Sequence, residues 1–445
     1  DVFASYRKQS RGDQVLVQAM LTEVRISGVI MTRTPSTGAP YTVLNFDDTS
    51  CRTDTVTAGN SGSLRTVFLH HGAALKADMP ESMHRVVEVV NELIELVGHD
   101  SLDIEFAVTA DGQVHVLQVR PIAVAHRDWA VDDEKIEECL LKGREQFKTL
   151  QLPHPFLVGE GTQFSVMADW NPAEMIGPKP NRLAFSLYRT LITDETWARQ
   201  RTDYGYRDVR PANLIVDLLG HPYIDIRVDF NSFTPADLPD ELAGRLVTHY
   251  LKRLKDNPEL HDKVEFDVLF TCLTFDFNQQ ADRLREDGFT EEDINTLRES
   301  LLNITAKGIA RCTDDMQASR GMEQRFEAIT GSSLAPLEKA YTLLEDIRRI
   351  GTYYFSHMAR HGFVAVQLLK TLESAGVISL DEREAFMASL ETVPAVMQSD
   401  AAQVKAGDLG WEEFVSRYGH LRPGSYDITS PCYASAPDEY LKPLL

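Results

Sequence analysis

Apolar and polar residues alternate along residues 102–120, with the two-residue period of a β-strand that buries one face. The apolar positions at the start of this segment are Leu102, Ile104, Phe106 and Val108. Asp111-Gly112 interrupts the alternation, and this pair suits a tight turn because both central residues of such a turn need positive φ. The pattern predicts a β-hairpin.

The polar positions of the hairpin fall on one face. A two-residue loop places Glu105 opposite Gln118 and Asp103 opposite Arg120, and a four-residue loop shifts these pairs but keeps all four side chains together. Two carboxylates, an amide and a guanidinium on one face can hold a divalent cation and a polyphosphate. The alternative is a solvated sheet face with a cross-strand ion pair.

Similar patterns predict further elements before the hairpin. Strands are predicted at Gln14–Met20, Val24–Thr32, Tyr41–Phe46 and Thr53–Thr57. Apolar residues at three- and four-residue steps predict a helix over residues 80–98, where Pro80 suits the first turn. The two strands nearest the helix on its N-terminal side, the helix and the hairpin give the order β-β-α-β-β.

The pattern becomes mainly helical after Pro121. We expect a domain boundary near residue 126, so that residues 1–126 and 127–445 form two domains of an α+β protein. Residues 151–235 are rich in proline and read as irregular. Helices are predicted at 131–149, 240–256, 259–270, 290–316, 320–330, 336–349, 352–375, 380–391 and 408–418.

Composition and charge narrow the classes of function. The net charge of −22 argues against nonspecific nucleic-acid binding, which needs a basic surface. No apolar run reaches transmembrane length, so we expect no membrane partner. The five cysteines are widely spaced and odd in number, which favours isolated thiols in a cytoplasmic protein over disulfides or a zinc site.

Candidate substrate residues lie in the second domain. Alternation over residues 223–229 would put Tyr223, Asp225, Arg227 and Asp229 on one strand face, either as a substrate site or as a buried ion-pair strand. Residues 168–177 read as a helix entry or as a substrate loop lined by Trp170 and Asn171. The candidate substrate residues are Arg210, Arg227, Asn231, His420 and Arg422.

Two separated motifs resemble a known enzyme family. Asp103-Ile104-Glu105-Phe106 and Leu117-Gln118-Val119-Arg120-Pro121 resemble the last two strands of the nucleotide-binding domain in the phosphoenolpyruvate synthase and pyruvate phosphate dikinase family. Residues 15–20 and 27–35 also resemble that domain, which has the ATP-grasp fold. No glycine-rich phosphate loop precedes them, so we expect only the second half of an ATP-grasp domain, as in a fragment, a processed product or a partial chain.

The resemblance implies specific roles. Mg²⁺ would be held by Asp103, Glu105 and Gln118, and ATP by Gln18, Met20, Arg33, Glu105, Gln118 and Arg120. Gln18 to Met20 would lie beside adenine, and Arg120 would act catalytically by neutralising phosphate charge. Magnesium prefers oxygen ligands, and phosphoryl transfer depends mainly on positioning and charge neutralisation.

The second domain is similar to the helical domain of the L-glutamine kinase and rifampin phosphotransferase members. This similarity rests on Asp169-Trp170-Asn171-Pro172 and on Arg227 with Phe230-Asn231-Ser232-Phe233. It implies a small-molecule phosphate acceptor, with L-glutamine as one candidate. Residues 47–59 lack the Gly-Leu-Gly-Glu-like segment of the synthase and dikinase, which argues against those two enzymes.

The expected function is therefore part of an ATP-dependent phosphotransferase. ATP would phosphorylate a histidine on a carrier domain beyond Leu445, and that histidine would pass phosphate to the acceptor. Ser356-His357 resembles the phosphohistidine motif but lies in a helical pattern, so we expect His357 to be a core or interface residue instead. The alternative is a noncatalytic module of the same family that binds a nucleotide or a partner.

Overall fold

The structure is a computed structural model that describes residues 19–49, 65–71, 73, 81–122 and 132–445. The chain divides into two compact units, Asp1–Leu141 and Lys142–Leu445. The predicted boundary near residue 126 lies outside the described residues. The predicted α+β class is confirmed, because an antiparallel sheet is followed by a largely helical region.

In the part of the first unit that the structure describes, a five-stranded antiparallel sheet is packed against the helix α1. The sheet has the order β3-β2-β1-β4-β5, and the helix α1 connects β3 to β4 along the chain. The bounds are β1 Val24–Met31, β2 Tyr41–Asp47, β3 Arg65–His70, α1 Glu81–Val97, β4 Leu102–Thr109 and β5 Val114–Pro121.

One face of the sheet is apolar because the strands alternate. Ile30, Leu44, Ile104 and Phe106 are buried there, and α1 covers them with its own apolar stripe of Met83, Val86 and Val90. Gly28 lets β1 approach its neighbours, since a Cβ at this position would collide with Asn45 O and lie 2.8 Å from the Phe106 ring. The opposite face carries Asp103 and Glu105.

The strand and helix predictions hold for most of the first unit. β1, β2, α1 and both strands of the hairpin lie within two residues of their predicted bounds. The prediction missed β3, so the described order is β-β-β-α-β-β. The predicted strand at Thr53–Thr57 and residues 14–18 of the first predicted strand lie outside the described residues, and Ala19 and Met20 are not in a strand.

The second unit is mainly helical around one large apolar core, which includes Tyr188, Trp197, Phe230 and Leu301. Its longer helices are α2 Asp133–Leu150, which spans the division, α5 Thr196–Tyr204, α7 Asp240–Asp256, α10 Glu291–Ser319, α11 Gly321–Thr330, α12 Pro336–Asp346, α13 Thr352–Ser374, α14 Leu380–Ala388, α15 Val393–Ala406 and α16 Trp411–Tyr418. The shorter ones are α3 Pro172–Met175, α4 Arg182–Tyr188, α6 Ile226–Ser232, α8 Phe277–Gln280, α9 Asp282–Glu286 and α17 Pro437–Tyr440. None of the described helices combines the length and apolar character needed to cross a membrane.

Several irregular features of the second unit were not predicted. A small antiparallel sheet has the order β6-β8-β7, with bounds β6 Phe164–Ser165, β7 Ile215–Leu218 and β8 His221–Asp225. Residues 259–270 are not one helix, because a 3₁₀ turn at Pro258–Asp262 precedes a π-helical turn at Val264–Val268. Two further π-helical turns occur at Arg189–Thr193 and Ile347–Gly351. The helix α15 was missed.

The predicted strand alternation over residues 223–229 is wrong. The strand β8 ends at Asp225, whose side chain accepts hydrogen bonds from the backbone N–H groups of Arg227 and Val228 and so caps α6. A buried aspartate at a helix N-cap satisfies donors that have no partner within the helix. Asp225, Arg227 and Asp229 therefore do not share a strand face.

Candidate functional site

The polar residues of the hairpin form the predicted pairs, but the turn and the β5 strand differ from the prediction. Asp103 lies opposite Arg120, and Glu105 lies opposite Gln118. The turn does not have two residues, because Thr109 N donates to Gln113 O at 3.1 Å and leaves three residues between them. A β-bulge at Leu117 then adds one residue to β5, which restores the pairs that a two-residue turn would give.

The β4–β5 face, defined as Asp103, Glu105, Gln118 and Arg120, is polar and accessible. Arg120 Nε donates to Asp103 Oδ2 at 2.7 Å, and the side chains are 57% and 13% exposed. Glu105 is half-buried and Gln118 is exposed. The hydrogen bond to Asp103 raises the pKa of Arg120 above its ordinary value, so the guanidinium stays charged.

The β4–β5 face has the oxygen donors that a magnesium ion prefers. Asp103 Oδ1 is buried and has no hydrogen-bond partner among the described residues, and Glu105 is two residues away on the same side of β4. Opposite residues on paired strands have Cβ atoms about 5 Å apart, so the Gln118 amide lies within reach of Glu105. The described residues contain no group of three or more His, Cys, Asp or Glu that could hold a metal alone. Phosphate oxygens would have to complete the coordination of Mg²⁺, which is usual for this ion.

Met20 and Arg33, which were also predicted to contact the nucleotide, do not belong to this face. Gln18 lies outside the described residues, and Met20 is 92% exposed and outside the sheet. Arg33 donates through Nε to Asp100, through Nη1 to Gly38 O and through Nη2 to Asp133. All three nitrogens of Arg33 are therefore engaged in contacts that anchor the loop after β1, and a phosphate would have to displace them.

Arg227 and Asn231, two of the predicted substrate residues, are buried and bind backbone groups. Arg227 is buried, and its two terminal nitrogens donate to Leu152 O and Leu150 O. These contacts satisfy carbonyl groups at and after the end of α2. Asn231 is also buried and exchanges two hydrogen bonds with the backbone of Val158. Arg227 Nε is buried without a hydrogen-bond partner among the described residues, whereas both Nη atoms of Arg227 and the side-chain amide of Asn231 bind backbone groups.

The other predicted substrate residues lie near the surface. Arg210 forms a two-point contact with Asp208 through Nε and Nη2, at 2.8 and 2.6 Å. His420 is exposed and Arg422 is half-buried in the loop after α16. Gly419 begins this loop, where a Cβ would collide with Val415 O. A substrate role for Arg210, His420 and Arg422 stays a prediction.

His357 is a core residue, as predicted. It lies within α13, is fully buried, and its ring Nε2 accepts from Arg311 Nη2 at 3.2 Å. Its ring Nδ1 lies 3.2 Å from the side-chain nitrogen of Gln200. Burial, together with the charge of Arg311, lowers the pKa of His357 to about 4. A buried ring held in this way is not a mobile phosphate carrier.

The second unit contains a cavity of about 410 Å³ that the sequence did not reveal. Two buried ion pairs line it, Asp169 with Arg201 at 2.7 Å and Glu265 with Arg360. Trp170 also lines it, which agrees with the predicted loop, and Asn171 caps α3, which agrees with the predicted helix entry. The other charged residues of the lining come from α5, α13, the 3₁₀ turn at Pro258–Asp262 and the π-helical turn at Val264–Val268, so no local motif identifies them.

Comparison of the sequence with models of protein families and with characterised proteins gave no significant match.

Proposed function

We propose that the first unit binds a magnesium–nucleotide complex on the β4–β5 face, as part of an ATP-dependent phosphotransferase. The observation that carries this proposal is the pairing of Asp103 with Arg120 and of Glu105 with Gln118 on one accessible face. The resemblance of both strands to the phosphoenolpyruvate synthase and pyruvate phosphate dikinase family supports it, and implies an ATP-grasp-like fold for this unit.

Each residue of the face has a distinct part in this proposal. Asp103 and Glu105 would provide carboxylate oxygens to Mg²⁺, and Gln118 would provide its amide oxygen. The bound ion would neutralise phosphate charge. Arg120 is held by Asp103 through Nε, and no described residue accepts from its Nη atoms, so these can donate to phosphate oxygens. Such charge-assisted hydrogen bonds fix the phosphates in position, which is most of what phosphoryl transfer requires.

The reaction would proceed in two transfers. A histidine nitrogen on a separate carrier domain attacks the γ phosphorus of ATP with loss of ADP, or the β phosphorus with loss of AMP followed by hydrolysis of the terminal phosphate. In either case the P–O bond to the departing nucleotide breaks. The phosphohistidine then transfers its phosphoryl group to a small-molecule acceptor and regains the free ring. His357 has no part in these steps because it is buried in α13.

Phosphohistidine formation tests the proposal. The intact protein is incubated with Mg²⁺ and ATP labelled at the β or the γ phosphate, in separate reactions, and the label is tested for lability in acid and stability in base. We expect labelling in one reaction and its loss in Glu105→Gln. The matched control is Glu95→Gln, at an exposed position on α1.

The outcomes separate the two classes of function. Labelled protein that depends on Glu105 supports the phosphotransferase. Binding of ATP without any phosphoprotein would contradict it and favour a noncatalytic nucleotide-binding module.

A further inference from the structure

The cavity of the second unit has the size and lining of a small-molecule site. Its volume of about 410 Å³ lies in the range of roughly 300–1,000 Å³ that is usual for ligand pockets. Much of its wall is aromatic, formed by Trp170, Phe266, Phe355 and Phe363. Trp170 and Phe355 are neighbours, with ring centres 6.1 Å apart. An apolar body could pack against these rings.

Two arginines in the wall have unused hydrogen-bond donors. Arg201 and Arg360 are 5% and 1% exposed, and each donates to one carboxylate, of Asp169 and Glu265 respectively. The remaining buried nitrogens without an acceptor among the described residues are Arg201 Nε, Arg360 Nε and Arg360 Nη2. A buried charged donor without an acceptor is costly, and a bound group that supplies acceptors would remove that cost.

The arginine planes are held in place before any ligand binds. The Phe233 ring lies 3.9 Å from Arg201 Cζ and 5.3 Å from Arg360 Cζ. Arg360 also lies over Phe363, at 5.4 Å. Stacking of this kind orients a guanidinium without using its N–H groups. The ligand therefore meets donors whose directions are already fixed, which lowers the entropy cost of binding.

We propose that this cavity binds a small organic carboxylate whose apolar body packs against Trp170 and the phenylalanines. The unused groups of Arg201 and Arg360 are donors only, so they select a ligand that accepts hydrogen bonds. A carboxylate matches the fork of a guanidinium better than a single carbonyl does. The proposal concerns the second unit alone, and stands whether or not the first unit binds a nucleotide.

A matched set of probes tests the charge requirement. Phenylacetate, phenylacetamide and phenethylamine share one aromatic body and differ in charge, and their binding to the whole chain is measured by calorimetry at millimolar concentration. We expect phenylacetate to bind most tightly and phenethylamine not to bind. Failure of phenylacetate to bind, or equal binding of all three, would overturn the proposal and leave the cavity a solvated feature of the core.

Cavity-filling variants locate the binding. Ala359 lines the cavity on α13, so Ala359→Leu should reduce phenylacetate binding by about tenfold or more while both ion pairs remain. Ala365→Leu is the control, because Ala365 is exposed on the same helix and does not line the cavity. Arg201→Lys keeps the charge but removes the fork, and should also weaken binding by about tenfold. Binding that is unchanged in Ala359→Leu would place phenylacetate elsewhere and contradict the proposal.

Discussion

Glu105 and Gln118 lie directly opposite each other on β4 and β5, although the turn between these strands is one residue longer than this register requires. The extra residue in the turn shifts the pairs next to it, so that Phe106 lies opposite Val116. Leu117 then bulges out of the ladder and reverses the shift. The pairing of the polar residues therefore depends on both features: the turn shifts the strand register by one residue, and the bulge shifts it back.

This compensation predicts opposite outcomes for two single-residue deletions. Removal of Leu117 should leave Glu105 opposite Gln118 and Val119 opposite Ile104, because it converts the bulge into a regular ladder. Removal of Val119 should instead place Arg120 opposite Ile104, on the face that α1 covers. Burial of an unpaired charge is strongly destabilising.

Urea denaturation of both deletion variants checks this prediction. We expect the Leu117 deletion to fold with a small loss of stability, and the Val119 deletion to unfold at much lower urea concentration or to be insoluble. Equal losses in the two variants would contradict the register described for this hairpin.

The ion pair between Glu265 and Arg360 predicts a large effect of removing one partner. Both residues are buried, so Glu265→Ala leaves the guanidinium of Arg360 charged and without its carboxylate. Loss of one partner of a buried pair typically costs about 3–5 kcal/mol. The control is Glu145→Ala, which breaks an exposed pair with Lys148 and should cost far less. The free energy of unfolding in urea measures both, and similar values would contradict the burial of the first pair.

Asp229 predicts a stabilising substitution. It is fully buried, and neither carboxylate oxygen has a hydrogen-bond partner among the described residues. Burial, together with the nearby Asp169, raises its pKa well above the ordinary value. Between the unfolded pKa, near 3.9, and this raised value the folded state binds more protons than the unfolded state. The contribution of Asp229 to stability therefore falls as pH rises through that range.

Asp229→Asn removes this titration. We expect the variant to be more stable than the wild type at pH 7, and to lose that advantage below about pH 4. Asp314→Asn, at an exposed position, should change stability by less than about 0.5 kcal/mol at either pH. Destabilisation of Asp229→Asn at pH 7 would show that the carboxylate is charged and stabilised in the folded protein.

From the lowered pKa of His357 we expect a pH dependence of stability that is opposite in sign to that of Asp229. Its folded pKa of about 4 lies below the ordinary value of 6.5, so the unfolded state takes up a proton that the folded state does not. Stability should fall as pH decreases from about 6.5 towards 4, by at most about 1.4 kcal/mol per pH unit from this group. His357→Gln should reduce this slope in urea denaturation, whereas the exposed His420→Gln should not. An unchanged slope in His357→Gln would contradict the account.

The sequence predicted the strands and helices whose apolar residues recur at regular spacing. The structure differs from the prediction where a specific contact, such as a helix cap, is more favourable than the conformation that the spacing indicates. The hairpin and α7 lie close to their predicted bounds because apolar spacing decides where they are buried. Asp111-Gly112 suits turns of two and three residues alike, so the bulge at Leu117 could not be foreseen. Alternation fails at Asp225 because its side chain caps α6 and accepts from two backbone donors at once.

The ion pairs of the cavity could not be predicted because their partners are far apart in the chain. Glu265 and Arg360 are separated by 95 residues, and Asp169 and Arg201 by 32. Nothing in the local sequence distinguishes a buried arginine from an exposed one. The same limit applies to Arg227, which looked like an anion-binding residue but binds backbone carbonyl groups.

Magnesium-dependent binding of ATP tests the central claim most directly. Calorimetric titration of ATP into the intact protein is carried out with and without Mg²⁺, for the wild type, Glu105→Gln and the control Glu95→Gln. We expect binding to require Mg²⁺, to weaken by about tenfold or more in Glu105→Gln, and to be unchanged in Glu95→Gln. If the affinity for ATP is the same with and without Mg²⁺ and is unchanged in Glu105→Gln, the β4–β5 face is an ordinary solvated sheet surface.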